Sequence, residues 1–210
     1  MSQEINELFN AILEGKAELA KIKIEEALIN KLSPSQILNQ GMIASMAEVG
    51  DRFERGEYYV PEMLIAARAM QQALSILKPH LEQSDLVVVG RVVIGTVKGD
   101  LHDIGKNLVG MLLEGAGFEI RDLGTDVSAE QFVKAVRGDE ADILAMSALL
   151  TTTMPNMKSV VEALHNAGLH DRVKVIIGGA PVTESYAQEI GADGYAPDAS
   201  RAVKLVKALL

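Results

Sequence analysis

Cysteine is absent from the 210 residues, which excludes disulfides, thiolate metal sites and a cysteine nucleophile. Positive charge is scarce: 20 Lys and Arg stand against 29 Asp and Glu, a formal charge of -9. Neither nucleic acid nor an anionic membrane is therefore expected as a partner. No apolar run approaches the roughly 20 residues that cross a bilayer, and no basic, apolar leader opens the chain. A cytoplasmic protein with a metabolic or protein partner is expected. A Walker-type lysine loop and a G-x-G-x-x-G after a strand are also missing, which argues against a nucleotide phosphate site. Aromatic residues make up only 4%, so the grouping of Phe53, Tyr58 and Tyr59 at one helix junction suggests a built surface.

What is present falls into two halves. Residues Glu4 to Glu14 and Ala17 to Asn30 carry apolar side chains at helical spacing and read as a helical hairpin broken at Gly15. Ser33-Pro34-Ser35-Gln36 reads as a helix start, with Ser33 as N-cap, Pro34 at the first helical position and Gln36 reaching back. That helix is expected to run to about Val49, and another from Pro61 toward Leu81. The polar stretch Pro79 to Asp85 marks the domain boundary, giving 1-84 and 85-210, with a hinge near Gln83.

Beyond the boundary the pattern changes. Leu86 to Val97 is a Val/Ile-rich run of the kind buried on both faces of a parallel sheet. Phe118 to Leu123, Ile143 to Ser147, Val173 to Ile177 and the short Gly194-Tyr195 are further strands. Helices separate them, one opening at Ser128-Ala129-Glu130-Gln131 and the last running from Ala199 to Leu210. Strand alternating with helix implies an α/β fold: an N-terminal helical bundle followed by a doubly wound, flavodoxin-like parallel sheet.

Such sheets bind ligands at the carboxyl ends of their strands, and the least ordinary residues fall there. Asp100 and His102 follow the first strand, Ser147 to Thr153 the third, and Gly178-Gly179 the fourth. A His with a carboxylate two residues earlier has one ring nitrogen held and the other free for a metal. The glycines would let a backbone approach a bulky ligand, and the hydroxyls would satisfy its polar edges. His80, His165 and His170 have no partner in sequence and are expected to be solvent-exposed.

Asp100-Leu101-His102-Asp103-Ile104-Gly105, Ser147-Ala148-Leu149 and Gly178-Gly179 resemble, in order, the D-x-H-x-x-G, S-x-L and G-G signature of cobalamin-binding domains. Those domains hold the cofactor with a protein histidine as lower cobalt ligand. The preceding helices, with Val49-Gly50-Asp51-Arg52-Phe53 and Tyr59-Val60-Pro61, are similar to the helical cap of methionine synthase and of corrinoid proteins in methyltransferase systems. The resemblance implies a cobalamin or related corrinoid as cofactor and His102 as its metal ligand. It implies Asp100 as the partner of His102, and Thr153 as third member of the relay where methionine synthase has Ser. Leu101, Asp103, Ile104 and Gly105 would contact the cofactor. Ser147, Leu149, Thr151, Gly178 and Gly179 would line the channel for its displaced tail. Tyr59, where methionine synthase has Phe, and Met63 would cover the methyl-bearing face.

The function implied is a corrinoid-carrying subunit without a substrate pocket of its own. It would shuttle a methyl group from a substrate-specific methyltransferase to a second methyltransferase with a folate or thiol acceptor, and a reductive activase is expected as a further partner. The alternatives are a corrinoid sensor or storage module, the small subunit of a radical mutase, and a metal hydrolase using Asp100, His102 and Asp103.

Overall fold

A computed structural model describes residues 2-81 and 89-210. The chain forms two compact units. The first holds α1 (Gln3–Leu13), α2 (Ala17–Ile29), α3 (Pro34–Gln36), α4 (Ala44–Glu54) and α5 (Val60–Leu77). The second holds β1 (Arg91–Thr96), α6 (Ile104–Gly115), β2 (Glu119–Asp122), α7 (Ala129–Asp139), β3 (Ile143–Ser147), α8 (Pro155–Asn166), β4 (Lys174–Gly178), α9 (Glu184–Ile190), β5 (Gly194–Tyr195) and α10 (Ala199–Leu209). The boundary expected between 84 and 85, the hinge at Gln83 and the strand start at Leu86 lie outside the described residues. Among the described residues, no helix is long and apolar enough to cross a membrane.

In the helical unit the expected hairpin is present as α1 and α2, which pack on each other and on α5. The apolar stripe of α1, Ile5, Leu8 and Ile12, is buried together with Ile24 of α2, Met46 and Val49 of α4 and Met70 of α5. This is the one-sided burial that helical periodicity encodes. Two local expectations are corrected. Ser33 precedes the helix start, with Pro34 in the first turn, but its side chain makes no capping hydrogen bond. The helix also does not stop near Val49: a π-helical stretch, Ile37–Ile43, joins α3 to α4, which runs to Glu54. The wider turn is set by a backbone bond from Ala44 N–H to the Asn39 carbonyl, five residues back.

In the second unit five parallel strands lie in the order β2-β1-β3-β4-β5. Val93, Leu144, Met146, Val175 and Ile177 pack with Phe132 of α7 and Met157, Val160 and Leu164 of α8. The alternate positions Val92, Ile94, Ile143, Ala145 and Ile176 are buried too. Burial of both faces explains why these strands read as continuous apolar runs. The chain leaves β1 for β2 on one side and returns to β3 on the other, so β1 and β3 flank a topological switch point, where such sheets place ligands. Thr96 pairs with Ser147, and Ser147 with Gly178, so the last residues of β1, β3 and β4 stand level on one edge.

Phe132 is fully buried, and a Cβ added at Gly95 of β1 would lie 2.8 Å from its ring. Phe132→Ala is expected to cost about 3-5 kcal/mol, measured by denaturant unfolding of the apoprotein.

Candidate functional site

The loop after β1 is built around one carboxylate. Asp100 is fully buried. Its Oδ1 accepts from the His102 backbone N–H at 3.1 Å and from His102 Nδ1 at 2.7 Å. Its Oδ2 accepts from Leu149 N–H at 2.8 Å, Leu150 N–H at 3.3 Å and the Thr153 hydroxyl at 2.7 Å. The Thr153 hydroxyl also lies 2.9 Å from the Leu150 carbonyl. It has one proton, and the charged carboxylate is the stronger acceptor. Three residues distant in sequence thus converge because β1 and β3 are neighbours.

Burial pushes the Asp100 carboxyl up, but hydrogen bonds from Thr153, the His102 ring, Leu149 N–H and His102 N–H outweigh it. Together they hold it well below the usual carboxylate range. An ionised Asp100 accepts only, so Nδ1 of His102 carries the proton of this bond. In the neutral ring Nε2 then presents a lone pair. The His102 side chain is 50% exposed, and no hydrogen bond engages Nε2 among the described residues.

The backbone of the loop is pinned from three directions. The Thr96 hydroxyl donates to the His102 carbonyl at 2.9 Å, Asp126 accepts from Gly99 N–H at 2.7 Å, and Asn156 donates to the Lys98 carbonyl at 2.8 Å. Sequence reasoning missed all three. Thr96, a polar residue closing an apolar strand, was the one legible signal. Asp126, in the left-handed region at φ 57, and Asn156 act over distances with no local pattern.

Around the imidazole the surface is apolar. Leu101 is 72% and Ile104 80% exposed, and Leu149 and Leu150 are exposed as well. Large side chains left open beside a free nitrogen donor are unusual unless something covers them. Gly105 points the same way: it sits in the first turn of α6, where Gly costs about 1 kcal/mol relative to Ala, yet a Cβ there would meet nothing in the chain.

The other predicted residues are distributed as follows. Thr151 is exposed in the loop after β3, and Ser147 and Gly178 stand on the sheet edge. Gly179 has φ 134, and a Cβ there would lie 1.9 Å from the Ala148 carbonyl oxygen. Its lack of a side chain is thus required by the neighbouring backbone, whereas the sequence reading explained it by approach of a ligand. Asp103 accepts from the Asn107 side chain at 3.1 Å. With both Asp100 oxygens engaged and Asp103 bonded to Asn107, the three residues do not converge on one ion, against the hydrolase alternative. Tyr59 and Met63 belong to the helical unit, Tyr59 65% exposed at the start of α5 and Met63 fully buried. His80 and His165 are exposed, as expected, whereas His170 is half-buried, its ring stacked on that of His165 at 3.7 Å and an interplanar angle of 13°.

A model of the B12 binding domain matches residues 90–204, and a second B12 binding domain model matches residues 4–78. The chain belongs to the B12-binding family. It is 44% identical to the dimethylamine corrinoid protein of Methanosarcina barkeri, over 100% of both chains. It is 43% identical to trimethylamine corrinoid protein 1 of Methanosarcina acetivorans, over 96% of this chain and 94% of that one. Among solved structures, the methanol:cobalamin methyltransferase complex MtaBC of Methanosarcina barkeri matches with a TM-score of 0.90 at 28% identity, over 99% of this chain and 80% of that one. The cofactor is therefore a corrinoid, and the loop fits it: one unengaged nitrogen suits a metal whose other ligands belong to a macrocycle, and the apolar rim suits the macrocycle.

Because the Asp100 carboxyl is held low, its stabilising contribution is full above the ordinary carboxylate value of about 3.9. It is lost as pH falls below that value toward the depressed one. In unfolding of the apoprotein, wild type is expected to exceed Asp100→Asn in stability at neutral pH, with the gap closing below about pH 4.

Proposed function

We propose that this protein is the corrinoid-carrying subunit of a methylamine methyl-transfer system. It takes a methyl group from a substrate-specific methyltransferase and delivers it to a second methyltransferase with a thiol coenzyme or folate acceptor. A reductive activase would restore it after oxidation. The observation that carries this reading is the half-exposed His102, held through Nδ1 by a buried, ionised Asp100 with Nε2 unengaged. The names of relatives at 43-44% identity, a dimethylamine and a trimethylamine corrinoid protein, support a methylamine as donor. A shuttle between enzymes belongs in their compartment, the cytoplasm.

When bound, the corrinoid supplies a cobalt centre that accepts and releases a methyl group. In this reading His102 Nε2 would ligate the cobalt. Asp100 fixes its tautomer and raises its basicity, and Thr153 holds Asp100. Leu101, Ile104, Gly105, Leu149 and Asp103 would contact the macrocycle or its substituents. Ser147, Thr151, Gly178 and Gly179 would line the path of the displaced tail. Tyr59 and Met63, in the helical unit, would shield the methyl group from water; Met63, fully buried in this structure, would have to become exposed to do so.

The test adds hydroxocobalamin to purified apoprotein and records visible spectra of wild type and His102→Ala. Wild type is expected to bind it with the tail base displaced, and the variant to lose that spectrum. Labelled methyl from a methylamine is expected on the loaded protein only when a cognate methyltransferase is present. Transfer that is absent with every methylamine would leave a sensor or store.

A further inference from the structure

Lys106 breaks two rules at once. Its side chain is 1% exposed, and lysine is rarely buried that far. It also lies in the first turn of α6, where the helix dipole disfavours a cation. Burying its charge carries a desolvation cost, and its carboxylate partner Asp122 is 43% exposed, so the pair is a weak source of stability. A position that defies local preference twice, four residues from His102, invites a functional explanation.

The hydrogen bonds supply it. Lys106 Nζ donates to Asp122 Oδ2 at the end of β2 and, at 2.8 Å, to Asn107 Oδ1. The other Asp122 oxygen accepts from Gly124 N–H at 2.8 Å, and the Gly124 carbonyl accepts from Thr96 N–H at 3.0 Å. The Thr96 hydroxyl donates to the His102 carbonyl at 2.9 Å. On the other side, Asn107 Nδ2 donates to Asp103 Oδ2 at 3.1 Å, and Asp103 follows His102 in the chain. These bonds close a ring, Thr96–Gly124–Asp122–Lys106–Asn107–Asp103–His102, tying both flanks of the histidine to β1 and β2. Asp100 fixes the imidazole, and this second circuit fixes the backbone that carries it.

We propose that Lys106, through Asp122, is a positioning residue that holds the His102 backbone in register for ligation of cobalt. The inference rests on the reading of His102 as cobalt ligand. Loosening the ring is then expected to lower the ligated fraction more than it lowers cofactor retention. Removal of outer hydrogen-bond partners commonly costs metal ligands on the order of 10-fold or more.

The probe is cobinamide, which has no tail base, so an axial nitrogen must come from the protein. It is loaded onto wild type, His102→Ala, Lys106→Met, Asp122→Asn and the double variant. Binding is titrated, and the reduced, cobalt(II) form is examined by electron paramagnetic resonance for nitrogen splitting. Wild type is expected to show the triplet of one nitrogen, and His102→Ala none. Lys106→Met and Asp122→Asn are each expected to lower the ligation equilibrium roughly 10-fold while cobinamide affinity changes by less than about threefold. The double variant is expected to be no worse than the weaker single, as for residues acting as one unit. Should Lys106→Met fail to fold, Asp122→Asn and its undiminished shape decide the matter. An unchanged triplet in the variants, or affinity falling in parallel with ligation, overturns the role of Lys106 and leaves His102 as ligand. No triplet in wild type overturns the reading of His102 itself, and this inference with it.

Discussion

A buried carboxylate with five hydrogen-bond donors is the constraint on which the site depends. An unpaired charge in the Asp100 position would be prohibitive, and the donors that offset burial come from two loops separated by about 50 residues. Their convergence is a product of topology. Only because β1 and β3 are adjacent do Leu149, Leu150 and Thr153 reach Asp100, so the α/β sheet is a precondition of the relay.

The consequence for chemistry follows from proton placement. With Asp100 ionised, the proton in the Asp–His bond belongs to Nδ1, and the reactive lone pair lies on the half-exposed side of the ring. The apolar residues around it, Leu101 and Ile104 above all, gain nothing from exposure to water. Covered by a flat, largely apolar macrocycle, they would contribute to retention of the cofactor as well as to its shape. Two independent circuits hold the histidine, one on its ring and one on its backbone. Metal ligands held in this way keep their geometry while the metal changes its ligation.

Much of this was legible in the residues. β3 and β5 have the bounds expected and β2 and β4 differ from theirs by one residue at each end; the runs of β1, β3 and β4, buried on both faces, leave no ambiguity of period, whereas β2 is largely exposed. The motif residues Asp100, His102 and Thr153 form one network, and the added methyl of Thr153 does not keep its hydroxyl from Asp100. What was not legible depends on distance or on backbone detail. The π-helical stretch at Ile37–Ile43 is a shift of register that propensity does not encode. The stacking of His165 on His170 comes from the reversal at Gly168, with φ 66. Lys106 finds Asp122 across sixteen residues, through the pairing of β2 beside β1, and nothing near either residue in sequence announces it. A further requirement for Gly179 was hidden for the same cause: its close neighbour is the Ala148 carbonyl, in the loop after another strand.

The central claim is that Nε2 of His102 bonds to cobalt. The most direct measurement loads cobalamin onto protein whose histidines carry heavy nitrogen, reduces the cobalt to its paramagnetic form and records the nitrogen hyperfine pattern. A protein imidazole as the axial ligand turns each triplet into a doublet. A pattern that remains a triplet, as for the cofactor's own base, or one without nitrogen splitting, would contradict it.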